Sequence, residues 1–180
     1  HSASRTLSAG IVAARQAADP GLRVTYRDLA ATPLPHLSSG SLARADAAEA
    51  AAAEQVLEEF LAADVVVIGA PMYNFAIPST LKAWIDRLAV AGRTFRYNEQ
   101  GMAEGLAGGK QLVVASSRGG FHQQSGADFQ EPYLRYVFGF MGITDIEFVR
   151  AEGLAVSAEQ RRQSLEQALE SLGCPIGEAA

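Results

Sequence analysis

"DVVVIGAPMYNFAIPSTLKAWIDRL" runs from Asp64 to Leu88, and its three parts call for different structures. Asp64 to Ala70 does not alternate. An unbroken β-branched run of this length predicts a strand covered on both faces. Pro78 is a natural first helical residue, and Leu81, Trp84, Ile85 and Leu88 line one face of the helix behind it. Between strand and helix stand Met72, Tyr73, Asn74 and Phe75. A plain turn uses Gly, Asn, Asp or Ser, for special backbone angles or local hydrogen bonds. Met72, Tyr73 and Phe75 supply neither and are costly to leave in water. They must cover something flat or pack against a partner.

The same strand–loop–helix order spreads outward from this stretch. Ser4 to Ala18 reads as a helix with Leu7, Ile11 and Ala14 on one face, capped by Ser2 or Ser4 and stopped by Pro20 and Gly21. "LRVTYRDLA" reads as a strand, Val24 and Tyr26 alternating with Arg23 and Arg27. "SLARADAAEAAAAEQVLEEFLAA" is rich in helix formers and predicts one helix. After Leu88, "AGRTFRYNEQGMAEGLAGGKQ" reads as a long loop or ordered excursion. Gln111 to Ser117 is a second buried strand. Asp128 and Glu131 have capping-box spacing for a helix ending near Met141. "TDIEFVRAEGL" is a third covered strand. A last helix begins at a Ser157–Gln160 capping box, carries Leu165, Leu169 and Leu172, and stops at Gly173.

Alternating helices and strands of this kind predict a doubly wound α/β fold with a parallel sheet. Such a sheet ordinarily opens with a buried strand, whereas this sequence opens with a helix. A first strand is therefore expected ahead of Ser2 and is absent from the 180 residues; the alternative is a protein that starts with a helix. The length suits one domain, over 1–180.

Composition narrows the function. Fifteen basic and 20 acidic residues leave a net charge of -5, which argues against a nucleic-acid or anionic-membrane surface. No apolar run approaches a bilayer span. Cys174 is the single cysteine, so disulfides within the chain are ruled out, and a soluble protein of a reducing compartment, the cytoplasm, is expected. No hydrolase elbow, metal motif, Walker loop or paired carboxylates stand out. A borrowed redox cofactor would fill that gap.

In open α/β sheets, ligands bind beyond the carboxyl ends of the strands. Three segments qualify. Ser2 and Ser4 carry hydroxyls beside free helix N–H groups and suit a phosphate, with Arg5 as a candidate neighbour; an ordinary N-cap is the competing reading. Met72, Tyr73, Asn74 and Phe75 suit a flat heteroaromatic ring such as a flavin, or a subunit contact, or both. In "SSRGGFH", Gly119 and Gly120 let the backbone approach a ligand and donate to it, Arg118 offers positive potential, and His122 offers a hydrogen bond; a glycine turn with a surface histidine is the alternative. Phe138, Phe140 and Met141 crowd one helix end and read equally as core.

"APMYNFAIPSTLKAWIDRLAVAGRTFRY", "SSRGG" and "GFMGITDIEFVRAEG" resemble the FMN-dependent NADH-azoreductases, flavodoxin-like quinone and azo reductases once labelled acyl-carrier-protein phosphodiesterases. The resemblance covers nearly the whole chain. It implies a five-stranded parallel sheet and an FMN held at its phosphate by Ser2 and Ser4. Met72, Tyr73, Asn74 and Phe75 would then lie beside the isoalloxazine, and Ser117, Arg118, Gly119 and Gly120 at its pyrimidine edge. Tyr97, His122 and Phe140 would shape the substrate side, Phe140 from the other subunit of a homodimer. It also implies hydride transfer from NADH or NADPH and ping-pong reduction of quinones and azo compounds, with no catalytic side chain and no metal. "PLPHLSSGSLARADAAEA" is shorter than in some members of that family, which predicts a more open pocket. A flavodoxin-type electron carrier and a non-enzymatic flavin-binding dimer are the alternatives.

Overall fold

A computed structural model describes residues 2–123 and 125–172; Gly173 and Cys174 lie outside the described residues. Its centre is a parallel sheet of β1 (Val65–Pro71), β4 (Gln111–Ser117) and β5 (Asp145–Ala151), ordered β1-β4-β5. β4 lies in the middle, with Val65 opposite Gln111 on one side and Gln111 opposite Asp145 on the other. Both its edges are paired and both its faces covered, which is why Leu112–Ala115 carries no polar side chain. Leu112 and Val114 join Val56, Phe60, Leu81, Ile85, Leu88 and Phe138 on one face. Val113 and Ala115 join Leu7, Ile11, Val149 and Ala168 on the other.

The first face is covered by α3 (Ala47–Ala62), α4 (Ser79–Leu88) and α5 (Gln130–Phe140), the second by α1 (Ala3–Ala18) and α6 (Ala158–Glu170). Helices on both faces make the sheet doubly wound, as expected. α5 begins beside the carboxyl ends of the strands, where Gln130 Nε2 donates to Ala70 O at 3.0 Å. It ends at their amino ends, where Met141 O accepts from Ala107 N.

Several expectations need correction. Among the described residues five strands form; three make the parallel sheet and two an antiparallel pair. The antiparallel pair is a hairpin of β2 (Phe95–Tyr97) and β3 (Ala103–Gly105), inside the stretch read as a long loop or ordered excursion. Leu22–Asp28 forms no ladder, and Val24 and Tyr26 are exposed. Alternation supplies side-chain faces; a strand also needs a backbone neighbour, and none lies beside this segment among the described residues. Side chains hold it instead: Arg27 makes a bidentate pair with Glu59 at 2.7 and 2.9 Å, and Arg5 reaches Tyr26 and Asp28.

The single helix expected after Gly40 is two. A short α2 (Ser39–Leu42), closed by a reciprocal Ser38–Ser41 capping box, is broken at Arg44, whose φ is 52°. Asp46 Oδ1 then caps α3 through Glu49 N at 2.8 Å. Pro78 stands one place earlier than expected, as the N-cap of α4. The Asp128–Glu131 box is half made. Asp128 Oδ1 accepts from Gln130 N and Glu131 N, but the Glu131 carboxylate turns away to two arginines.

Candidate flavin site

The loops leaving β1 and β4 meet at the carboxyl edge of the sheet. Met72 N donates to Ser117 O at 2.8 Å, so the parallel ladder is carried one step into the loops. Gln130, fully buried, joins the same two strand ends: its Nε2 bonds Ala70 O and its Oε1 accepts from Ser116 Oγ at 3.0 Å. Beyond that clamp lies a cavity of about 230 Å³ lined by Met72, Asn74, Phe75, Gly119, Gly120 and His122.

Tyr73 and Ala76 exchange backbone hydrogen bonds of 2.9 and 3.1 Å, leaving Asn74 and Phe75 as a two-residue turn with φ of 48° and 68°. Asn is at home there, and Gly is the usual second residue. Phe75 bears backbone strain of about 1–2 kcal/mol instead. Its ring meets the His122 ring edge-on, 5.9 Å between centroids, and its carbonyl accepts from Phe129 N at 3.2 Å. The residue lines the cavity, and glycine would bring no ring to it.

The opposite wall rests on Arg118, whose side chain is fully buried. Its Nη2 donates to Asp128 and Glu131, each at 2.8 Å, its Nη1 to Glu152 at 3.1 Å and its Nε to Ser116 Oγ at 3.2 Å. Its backbone is spent as well, on Ala151 and Leu154. The expected contact between Arg118 and a ligand is therefore corrected. The guanidinium faces inward because three carboxylates wait there, and it builds the loop from behind. Arg150 joins this cluster through a bidentate pair with Glu131, whose hydrogen bonds raise the Arg150 pKa.

With Arg118 folded inward, the N–H groups of Gly119 and Gly120 have no partner among the described residues. The Asn74 side chain likewise has none. Gly120 has a tighter reason for lacking a side chain than ligand approach alone. A Cβ there would lie 3.0 Å from His122 Nε2, so the imidazole folds back into the space that glycine leaves.

Ser2 and Ser4 stand at the start of α1 with hydroxyls 3.2 Å apart. Ser2 is the N-cap residue, yet its hydroxyl makes no capping bond, so both hydroxyls and the first-turn N–H groups remain available to an anion. α1 packs on β1 at Gly69, where even a Cβ would make an ordinary 3.6 Å contact with Ser4 O. That packing brings the helix start to the end of β1. Arg5 turns its guanidinium to the Tyr26–Asp28 segment. It pairs with Asp28 at 2.8 Å and, chiefly through that hydrogen bond, holds the Asp28 carboxyl down at about 2.

Other expected residues fall outside the cavity. Tyr73 is exposed and does not line it. Ser117 is buried and contributes its carbonyl to the Met72 bond. Tyr97 and Phe140 sit together across Phe95, with ring centroids at 5.8 and 4.6 Å. Phe140 closes α5, at the amino ends of the strands, away from the cavity of its own chain. Sequence reasoning missed Gln130, Glu152 and Gly153. No local spacing in the sequence joins Asp128, Glu131 and Glu152; their common partner is Arg118.

The family model described as the flavodoxin-like fold matches residues 1–173. An FMN-dependent NADH:quinone oxidoreductase of Stenotrophomonas maltophilia (strain K279a) is 63% identical over 172 residues, 96% of this chain and 88% of its own length. The chain belongs to the flavodoxin-like family of FMN-dependent azoreductases and quinone reductases. Within that family, an FMN-dependent NADH:quinone oxidoreductase of Xanthomonas oryzae pv. oryzae (strain MAFF 311018) is 60% identical over 179 residues, 99% of this chain and 91% of its own. Among solved structures, an azoreductase from Bacillus anthracis str. Sterne superposes with a TM-score of 0.85 at 30% identity, over 96% of this chain and 89% of its own. Among the described residues, no helix is long and apolar enough to cross a membrane.

Proposed function

We propose that this protein is an FMN-dependent reductase that passes two electrons from NADH or NADPH to quinones and azo compounds, with donor and acceptor taking the same place in turn. The observation that carries the reading is the cavity at the carboxyl edge of the sheet. It has apolar walls, Met72 and Phe75, and a rim of unspent polar groups: the Gly119 and Gly120 N–H groups and the Asn74 amide. Those donors fit the carbonyl-bearing rim of an isoalloxazine, and the apolar walls fit its rings. Ser2, Ser4 and the first turn of α1 fit its phosphate. FMN would supply the two-electron redox chemistry there.

The chain's own part is positional. Gly119 N and Gly120 N present fixed dipoles where negative charge builds on reduction, with no reorganisation needed at that moment. Met72 and Phe75 exclude water from one side. In this reading the protons of quinone reduction come from solvent, with His122 the titratable side chain among the lining residues. Reducing a quinone consumes one NAD(P)H; cleaving an azo bond to two amines consumes two.

Residues 1–180 then form one FMN-binding domain. The same reading has the protein act as a cytoplasmic homodimer. Its support is the placement of Tyr97 and Phe140 at Phe95, outside the cavity of their own chain; the reading has a second copy bring them to it. The test is anaerobic mixing of the yellow purified protein with NADH. Bleaching, restored by adding a quinone, is expected. A protein that binds no FMN, or that holds it without bleaching, overturns the reading. Sedimentation as a monomer overturns the dimer alone.

A further inference from the structure

Glu152, the residue after β5, is given no role by the redox chemistry, yet it touches the loop behind one wall of the cavity. Its Oε1 accepts from His122 N at 3.0 Å and from Arg118 Nη1 at 3.1 Å. Its own N–H donates to Ser164 Oγ at 3.0 Å, tying it to α6. Gly153 continues the grip: its N–H donates to Gly120 O at 3.0 Å. With a φ of 69°, it lies so close under Phe121 that a Cβ would come within 2.5 Å of that ring. The turn after β5 thus fastens residues 120–122 from below.

Charge balance alone gives no reason for Glu152. Asp128, Glu131 and Glu152 are three carboxylates against two guanidiniums, Arg118 and Arg150. Asp128 and Glu131 already take Arg118 Nη2, and Glu131 also takes Arg150. What Glu152 alone does is hold the His122 amide. The His122 ring has no hydrogen-bond partner among the described residues, and its contact is the edge-on Phe75 ring on the facing wall. A continuous path therefore runs from Glu152 through the His122 backbone and ring to Phe75.

We propose that Glu152 is a positioning residue that sets the separation of the two walls of the flavin cleft by fixing His122 against Phe75. The proposal rests on the flavin reading above. It makes the reach of this carboxylate, rather than its charge, the property that matters.

Two conservative variants separate reach from charge. Glu152→Asp keeps the charge and is one carbon too short for the His122 amide. Glu152→Gln loses the charge and keeps an oxygen in place. Both leave Arg118 paired to Asp128 and Glu131, so both are expected to fold. The full-length holoprotein is diluted until FMN is released, read by its fluorescence, and the visible circular dichroism of bound flavin is recorded. Glu152→Asp should raise the FMN dissociation constant about tenfold, as for a lost hydrogen bond to a charged group, and alter the dichroism. Glu152→Gln should stay within about threefold of wild type with an unaltered spectrum. In a His122→Ala background, Glu152→Asp should add less than about twofold, since coupled residues do not add. If Glu152→Gln weakens binding as much as Glu152→Asp, or if the losses multiply in the double variant, the proposal is overturned. A wild-type protein that holds no FMN overturns the flavin reading and this proposal with it. A wild type that holds FMN, with Glu152→Asp unchanged, overturns this proposal alone.

Discussion

The turn at Tyr73–Ala76 and the loop at Ser117–His122 face each other across one cavity, and their backbones are held in opposite ways. The loop sits on a buried lattice of Arg118, Ser116, Asp128, Glu131 and Glu152. The turn has nothing comparable. Two residues at positive φ, a pair of backbone hydrogen bonds within the turn, one more from Phe129 N to Phe75 O and one ring contact keep it in place. One wall is fixed by charged partners beneath it, the other mainly by its own backbone geometry. A cofactor site can combine the two because the fixed wall supplies N–H donors, whose aim matters, while the strained wall supplies an apolar cover, whose contact area matters.

The largest effect expected from this contrast comes from Arg118. Arg118→Met fills the volume and leaves Asp128, Glu131 and Glu152 facing Arg150 alone. Breaking a buried ion cluster from one side costs about 3–5 kcal/mol, and urea unfolding should read that loss. A loss below about 1 kcal/mol, the scale of a surface pair, would remove the contrast between the walls. Next is Gly120→Val. The new side chain meets His122 Nε2 and should cost FMN affinity about tenfold, the scale of a lost hydrogen bond, while unfolding changes much less than in Arg118→Met. Equal losses in both measurements would mean the loop is a folding element rather than a binding wall.

Phe75→Gly sharpens the comparison from the other side. Glycine relieves the left-handed strain, so unfolding should be unchanged or harder by about 1 kcal/mol. FMN affinity should nevertheless fall severalfold, because an apolar ring at the cavity lining is gone. A parallel fall in stability would show that the ring holds the turn.

The smallest effect lies away from both walls. The folded Asp28 carboxyl titrates at about 2 instead of 3.8, so the Arg5–Asp28 pair contributes in full above 3.8 and is lost as the pH falls through about 2. Arg5 is exposed and Asp28 only partly buried, so the contribution is slight. Thermal melts of wild type and Arg5→Met should differ little above 3.8 and converge near 2. A gap that widens with acid would place the acid-sensitive contact elsewhere.

Much of this architecture is legible in local pattern. The Val65–Pro71 and Gln111–Ser117 strands announce themselves because both faces are buried, and Ser157 marks the start of α6 because its cap is local. What escaped depends on distant neighbours. The alternation of Val24 and Tyr26 is real, but pairing requires an adjacent strand, which no window of sequence contains. Arg118 reads as a ligand contact beside two glycines; its direction is set by Asp128, Glu131 and Glu152, up to 34 residues away. The β2–β3 hairpin hides because three-residue strands carry too few positions for a period. Met72, Asn74, Phe75, Gly119, Gly120 and His122 are legible as a group because they follow strand ends, the one place where local pattern and the sheet's geometry coincide.

The contact between Gly105 and Gly142 has a consequence for whatever meets the face bearing Tyr97. A Cβ on Gly105 would fall 2.1 Å from Gly142 N, so main chain rests directly on main chain, and Ala107 N bonds Met141 O alongside. The hairpin cannot swing as a flap without parting that seam. Anything docking over Phe95, Tyr97 and Phe140 encounters a shape already cast, and forfeits little freedom in the protein on arrival. Calorimetry of such an encounter should be dominated by a drop in heat capacity from buried apolar area, without the large opposing entropy that accompanies a segment folding around its guest.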